Sequence, residues 1–222
     1  WNHTDADSTT GNSLTSLTVE NAIDAAFDEW DNVGTASIAF TKGSFTPSIY
    51  ADDDTNLVFW SKDDNVLDDL GLTSNGLAVT IVTNKTSAYN EFKDVDICFN
   101  GKDFRWTTTG AEVDSTAKVA DIQSIAVHEI GHMLGLAHNT ISGSVMNPAD
   151  LYNPSNPRHT LGSEDNFGLS FVYGGRIINN VTISHPSTMT DSYLNWDITV
   201  DPGVTLTYHP SANGYKIWVS SG

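Results

Sequence analysis

Three histidines and a glutamate carry the densest chemistry in the sequence: His128-Glu129-Ile130-Gly131-His132-Met133-Leu134-Gly135-Leu136-Ala137-His138. His128 and His132 are four positions apart. On a helix turning 100° per residue their side chains differ by about 40° in direction, so both imidazoles can reach one metal ion from the same face. A third ligand completes a catalytic zinc site and leaves one coordination position for water. His138 cannot supply it from a continuing helix, because the usual rise would carry it about 9 Å along the axis from His132. The chain must turn, and Gly135 is the residue that permits the turn. Glu129, beside the first ligand, is suited to accept a proton from a water whose pKa a metal lowers. The expected chemistry is metal-assisted hydrolysis of an amide without a covalent acyl-enzyme.

The spacing matches the long pattern His-Glu-x-x-His-x-x-Gly-x-x-His, the metzincin signature. Ser144-Val145-Met146-Asn147-Pro148 follows at a short interval and resembles the metzincin Met-turn, in which a methionine thioether lies beneath the metal-binding imidazoles. Among metzincins the chain is most similar to the matrixins. Asp121 to Val127 looks like the start of their active-site helix, Leu161 to Gly174 looks like their closing helix, and the similarity runs from about Ser16 to Gly174. The resemblance implies an α+β catalytic domain: a twisted, roughly five-stranded mixed sheet with two long helices and a C-terminal helix, bordering a horizontal cleft. It implies one catalytic zinc on His128, His132 and His138, Glu129 as general base, Met146 as the Met-turn residue, and extended protein or peptide substrates. It further implies that Gly76 to Thr83 is the sheet edge facing the cleft. There Leu77, Ala78 and Val79 would bind a peptide by strand addition. The loop from Pro148 to His159, with Pro148 and Tyr152, would form the wall of the pocket beyond the scissile bond. One family feature is not carried over: no histidine stands between His3 and His128 to hold a structural zinc. Asn139 also stands where the resemblance to the matrixin subfamily would lead one to expect a serine.

The elements that must position these residues are legible in part. Val19, Ala22, Ile23, Ala26, Phe27 and Trp30 follow helical spacing, which predicts a helix over Val19 to Trp30 with Thr18 as N-cap. Short strands are expected at Ala36 to Phe40, Asn56 to Trp60, Leu77 to Val82 and Val95 to Phe99. A second helix is expected from Asp121, its N-cap, to Leu134, ending at Gly135 in a left-handed conformation. A third is expected from Ser163, as cap, to Val172, with Glu164 and Asp165 at its positive end. After Gly175 the texture changes to alternating stretches between Pro and Gly turns. This predicts a catalytic domain over 1–175 and a small β-rich module over 176–222, read also as the first rungs of a β-solenoid.

The bulk composition narrows the function classes. The 222 residues carry 28 Asp and Glu against 10 Lys and Arg, net −18, which opposes binding to nucleic acid or an anionic membrane. No run of 18 apolar residues occurs, so membrane insertion is not expected. The chain begins at Trp1 without a Met or a basic-then-apolar leader and is expected to be a mature or excised segment; the protein is expected to be secreted and monomeric. Calcium is a second cation to expect, on Asp52-Asp53-Asp54, Asp63-Asp64 or Asp68-Asp69, since Asp is a hard oxygen ligand. The single cysteine, Cys98, excludes an internal disulfide and reads as a small buried hydrophobe. A rival reading places the main function in the C-terminal module, as a surface- or glycan-binding device presenting Tyr193, Trp196, Tyr208, Tyr215 and Trp218.

Overall fold

The structure, a computed structural model, describes residues 14–44, 50, 52–85, 88–151, 153 and 155–173 and the backbone of five later strands between 181 and 220; the side chains of 84–91 and 150 lie outside it. The chain divides into two compact units, one of 1–32 with 39–166 and the other of 33–38 with 167–222.

In the first unit, α1 (Ser16–Asp31) is closed by a reciprocal capping box. Thr15 Oγ1 accepts from Thr18 N at 3.1 Å, and Thr18 Oγ1 accepts from Thr15 N at 2.9 Å. The helix therefore begins a turn earlier than expected, with Thr18 inside it and Thr15 as the cap. The first turn has no buried side, as the exposed Leu17 shows, so the apolar periodicity starts only at Val19. Val19, Ala22, Ile23, Ala26 and Trp30 face inward. Trp30 donates its indole N–H to Val127 O at 2.9 Å, tying α1 to α3 (Ile122–Met133).

Three strands form the main sheet among the described residues, in the order β1 (Val58–Ser61), β3 (Ala88–Asn100), β2 (Ala78–Lys85). β1 runs parallel to β3 and β2 antiparallel to it. Register and alternation sort the side chains onto two faces. Phe59, Cys98, Val79 and Ile81 pack with Leu57, Leu72 and Leu67, the last on the short helix α2 (Asp64–Asp69). Thr80 lies on the opposite face, where its hydroxyl meets Glu129 of α3. α3 is thus enclosed between the sheet and α1, and nine of its residues, Ile122 and Ser124 to Gly131, are buried.

A five-stranded sheet is not what the described residues form. β4 (Arg105–Thr107) and β5 (Val119–Asp121) pair separately, in parallel, and β5 runs directly into α3. Ala36 to Phe40 makes no strand. Within the second unit Ser37 N instead donates to Tyr173 O at 2.8 Å, at the end of α4 (Ser163–Tyr173). Ser163 is the first helical residue and not the cap; Gly162 precedes it, and Gly162 O accepts from Asn166 N at 3.1 Å. Later strands β6 (Val181–Thr182), β9 (Thr205–Ser211) and β10 (Gly214–Ser220) form one antiparallel set, and β7 (Ser187–Asp191) pairs with β8 (Trp196–Val200). The aromatic side chains named above for this region lie outside the described residues.

Two of the acidic runs have local partners. Asp63 caps α2 by accepting from Asn65 N at 2.9 Å, Asp64 pairs with Lys102, and Asp52 pairs with Lys93 at 2.5 Å. Among the described residues, no set of three carboxylates converges to hold a cation; only three histidines do.

Two outcomes test this packing. A Cβ on Gly131 would lie 2.2 Å from Met146 Sδ and 3.0 Å from Trp30 Cζ2. Gly131→Ala is therefore expected to destabilise the protein by about 1–3 kcal/mol, as overpacking does, measured by denaturant unfolding; an unchanged midpoint would contradict the packing. Cys98 is fully buried, and burial, with Asp96 and Glu129 nearby, pushes its thiol up to about 12. It should resist alkylation in the native protein and react once the chain is unfolded, with mass spectrometry as readout.

Candidate metal centre

The three histidines come together because α3 starts and stops where it does. Asp121 caps it by accepting from Ser124 N at 2.8 Å, satisfying one of the free N–H groups of the first turn. At the other end Leu136 N reaches back to Gly131 O and Gly135 N to His132 O, both at 2.9 Å. This is the Schellman pattern, and it places Gly135 at φ +87, a conformation that favours glycine. The turn reverses the chain and returns His138 to the helix.

The result is a triangle of ring nitrogens. Nε2 of His138 lies 2.9 Å from Nε2 of His128 and 3.0 Å from that of His132, and the last two are 3.2 Å apart. A tetrahedral zinc with bonds of about 2.0–2.1 Å separates its nitrogen ligands by about 3.3 Å, so the donor set fits the ion in type, number and spacing. The opposite ring nitrogens fix the tautomers. His128 Nδ1 donates to Val145 O at 2.7 Å, and His132 Nδ1 donates to Leu136 O at 2.8 Å. A carbonyl can only accept, so each of these rings keeps a lone pair on Nε2, directed inward. Burial pushes the His128 imidazole down to about 4, with the neighbouring His132 and His138 adding to the shift against its bond to Val145. Burial also lowers His132. Both shifts favour the neutral ring, the form that binds metal.

Glu129 is 5% exposed. Burial raises its carboxyl to about 7, and the hydrogen bond from Thr80 acts in the opposite sense. Thr80 Oγ1 lies 2.6 Å from Glu129 Oε2.

Met146 is buried, and its sulfur packs against Gly131, between the two helical histidines. Its loop is held by Asp165, which accepts from Ser144 Oγ at 2.5 Å, Val145 N at 2.8 Å and Gly162 N at 2.8 Å. Ser144 Oγ in turn accepts from Met146 N at 3.1 Å and from Asn139 Nδ2 at 2.7 Å. Asn139 thus links the segment after His138 to the Met146 loop.

The expected substrate residues divide. β2 pairs with β3 alone among the described strands and is an edge. Ala78 shares the face of Thr80, whereas Val79 packs its side chain into the opposite cluster and offers only backbone. Leu77 lies just before β2, its carbonyl accepting from Asn100 N at 2.9 Å. Pro148 is exposed and opens a 3-10 turn capped by Asn147. Tyr152 lies outside the described residues. Sequence reasoning missed Thr80, Gly131, Asp165 and the carbonyls of Val145 and Leu136. Only Gly131 carried a signal, as a glycine inside a helix between two ligands.

Comparison with known proteins agrees with this geometry. The pattern of the Peptidase_M10 family, the matrixins, matches residues 5–174. The chain is 37% identical to Metalloendoproteinase 2-MMP of Arabidopsis thaliana over 89 residues, 39% of this chain and 23% of that protein. It is 44% identical to Stromelysin-3 of Xenopus laevis over 54 residues, 24% of this chain and 11% of that protein. With Matrix metalloproteinase-2 of Drosophila melanogaster it shares 35% identity over 72 residues, 32% of this chain and 9% of that protein. The aligned segments therefore span about a quarter or less of these relatives' own length. The family match reaches from before α1 through α4 and includes the whole histidine triangle and the Met146 loop: the chain belongs to the matrixin family.

Proposed function

We propose that this chain is a secreted zinc endopeptidase that cleaves extended polypeptides, with His128, His132 and His138 as metal ligands and Glu129 as general base. The observation that carries the reading is the triangle of inward-facing Nε2 atoms with a buried carboxylate on the adjacent residue. Zinc on these ligands supplies a Lewis acid that polarises a peptide carbonyl and acidifies a water. Glu129 takes the water's proton on a carboxylate oxygen and returns it to the leaving amine nitrogen. Met146 supports the histidines from below by filling the space that Gly131 leaves open. The free edge of β2, at Leu77, Ala78 and Val79, aligns the peptide backbone, and the loop that starts at Pro148 borders the next residue. Residues 1–175 form the catalytic part and 176–222 a β-rich module appended to it. The surface- or glycan-binding reading is not favoured, because the family match falls on residues 5–174.

One tightly held zinc per chain is expected after exhaustive dialysis, by elemental analysis. Two stoichiometric zincs would mean that a second site exists. His132→Ala should lose metal and turnover together, because a ligand has gone. Glu129→Gln should keep its zinc and its melting temperature. Its turnover of an internally quenched peptide should fall by about 10²–10⁴ or more, the value of general acid–base assistance. A zinc-loaded Glu129→Gln protein retaining more than about a tenth of wild-type turnover would sink the assignment of the base.

A further inference from the structure

We infer that Thr80 is a positioning residue for this hydrolysis: its hydroxyl holds one oxygen of the Glu129 carboxylate, leaving the other to take and return the proton. The inference rests on the proposed role of Glu129. Thr80 lies on the edge strand β2, opposite Ile97 of β3, with its side chain on the α3 face. Its Oγ1 is 2.6 Å from Glu129 Oε2 and 3.0 Å from Glu129 O. A hydroxyl has one proton, and in the ionised form that acts as base the carboxylate only accepts, so in that form the shorter contact is a donation from Thr80 to Oε2. Its length is that of a charge-assisted bond. Oε2 is thereby committed, and Oε1 is the oxygen left to act as base.

The contact has a second consequence. Glu129 is buried at 5% exposure, so little solvent is present to orient its carboxylate. The group that orients it belongs to the strand on which the peptide is proposed to lie. The base and the substrate backbone are then referenced to the same element, as general base catalysis requires of groups that must meet within hydrogen-bond reach.

Thr80→Val tests this, because valine keeps the branched shape and strand preference and removes only the hydroxyl. With zinc content and melting temperature near wild type, kcat is expected to fall about tenfold while KM changes little, consistent with loss of a hydrogen bond to a charged group. Thr80→Ser, which restores the hydroxyl, should recover most of kcat. In a Glu129→Gln background, Thr80→Val should cause no further loss, since the carboxylate that it orients is gone. If the valine protein does not fold, Thr80→Ala enters the same cycle. Wild-type kcat in Thr80→Val beside an inactive Glu129→Gln would overturn the inference and leave the proposed function standing. An equal loss in both backgrounds would also overturn it, showing a role that does not pass through Glu129. Equal turnover by wild type and Glu129→Gln would instead remove the reading on which it rests.

Discussion

His128 and His132 each donate the outer N–H to a carbonyl, so their Nε2 lone pairs face each other at 3.2 Å and repel. Relaxation would swing the imidazoles apart, and the surrounding structure is built to prevent that. Val145 O and Leu136 O each demand an N–H from the outer side of a ring, which sets the tautomer and orientation together. Burial adds a second constraint, because it disfavours the protonated rings that would otherwise turn the repulsion into charge against charge. A zinc ion held by His128, His132 and His138 would accept these lone pairs, with a third from His138.

The carbonyls that orient the rings must themselves stay fixed, and they come from two loops of different construction. Leu136 O is set by the helix end: the Schellman bonds at Gly135 determine where the next residue points. Val145 O has no helix or strand behind it. Its position depends on Asp165, one buried carboxylate that gathers Ser144, Val145 and Gly162, and on Met146 lodged against Gly131. Removing the Asp165 carboxylate would therefore release donors in the loop and, through Val145 O, the orientation of His128. A buried network of this kind holds only while every member is satisfied.

The sequence was most informative where a local rule has a single solution. Two histidines four apart, a carboxylate beside the first and a glycine before the third left few arrangements, and the structure brings the three imidazoles together. The cap at Asp121 and the stop at Gly135 follow from local chemistry alone, and both are where expected. Less was legible where the outcome depended on distant partners. Ala36 to Phe40 alternates like a strand, but a strand also needs a neighbour, and Ser37 bonds instead to the end of α4. α1 began earlier than its apolar pattern because capping is a matter of backbone donors and not of burial. Asp165 read only as favourable charge at a helix start, since nothing in its neighbourhood points to Val145, 20 positions away. Thr80 gave no signal, because a threonine in a strand is ordinary until the sheet's second face is known.

The carboxylate at the centre of the site sits between opposing influences. Desolvation pushes Glu129 up to about 7, while the bond from Thr80 favours its charged form. A cation held by the adjacent imidazoles would act in the same direction as Thr80, since an opposite charge nearby lowers a carboxyl pKa. A carboxylate at the surface, already near its ordinary value, would be driven by such a cation to be too weak a base. Burial of Glu129 between α3 and the sheet opposes that pull, which is the sense that the proposed role of general base requires. The enclosure of α3, which looks at first like a requirement of packing, thus also raises the proton affinity of the carboxylate proposed as the base.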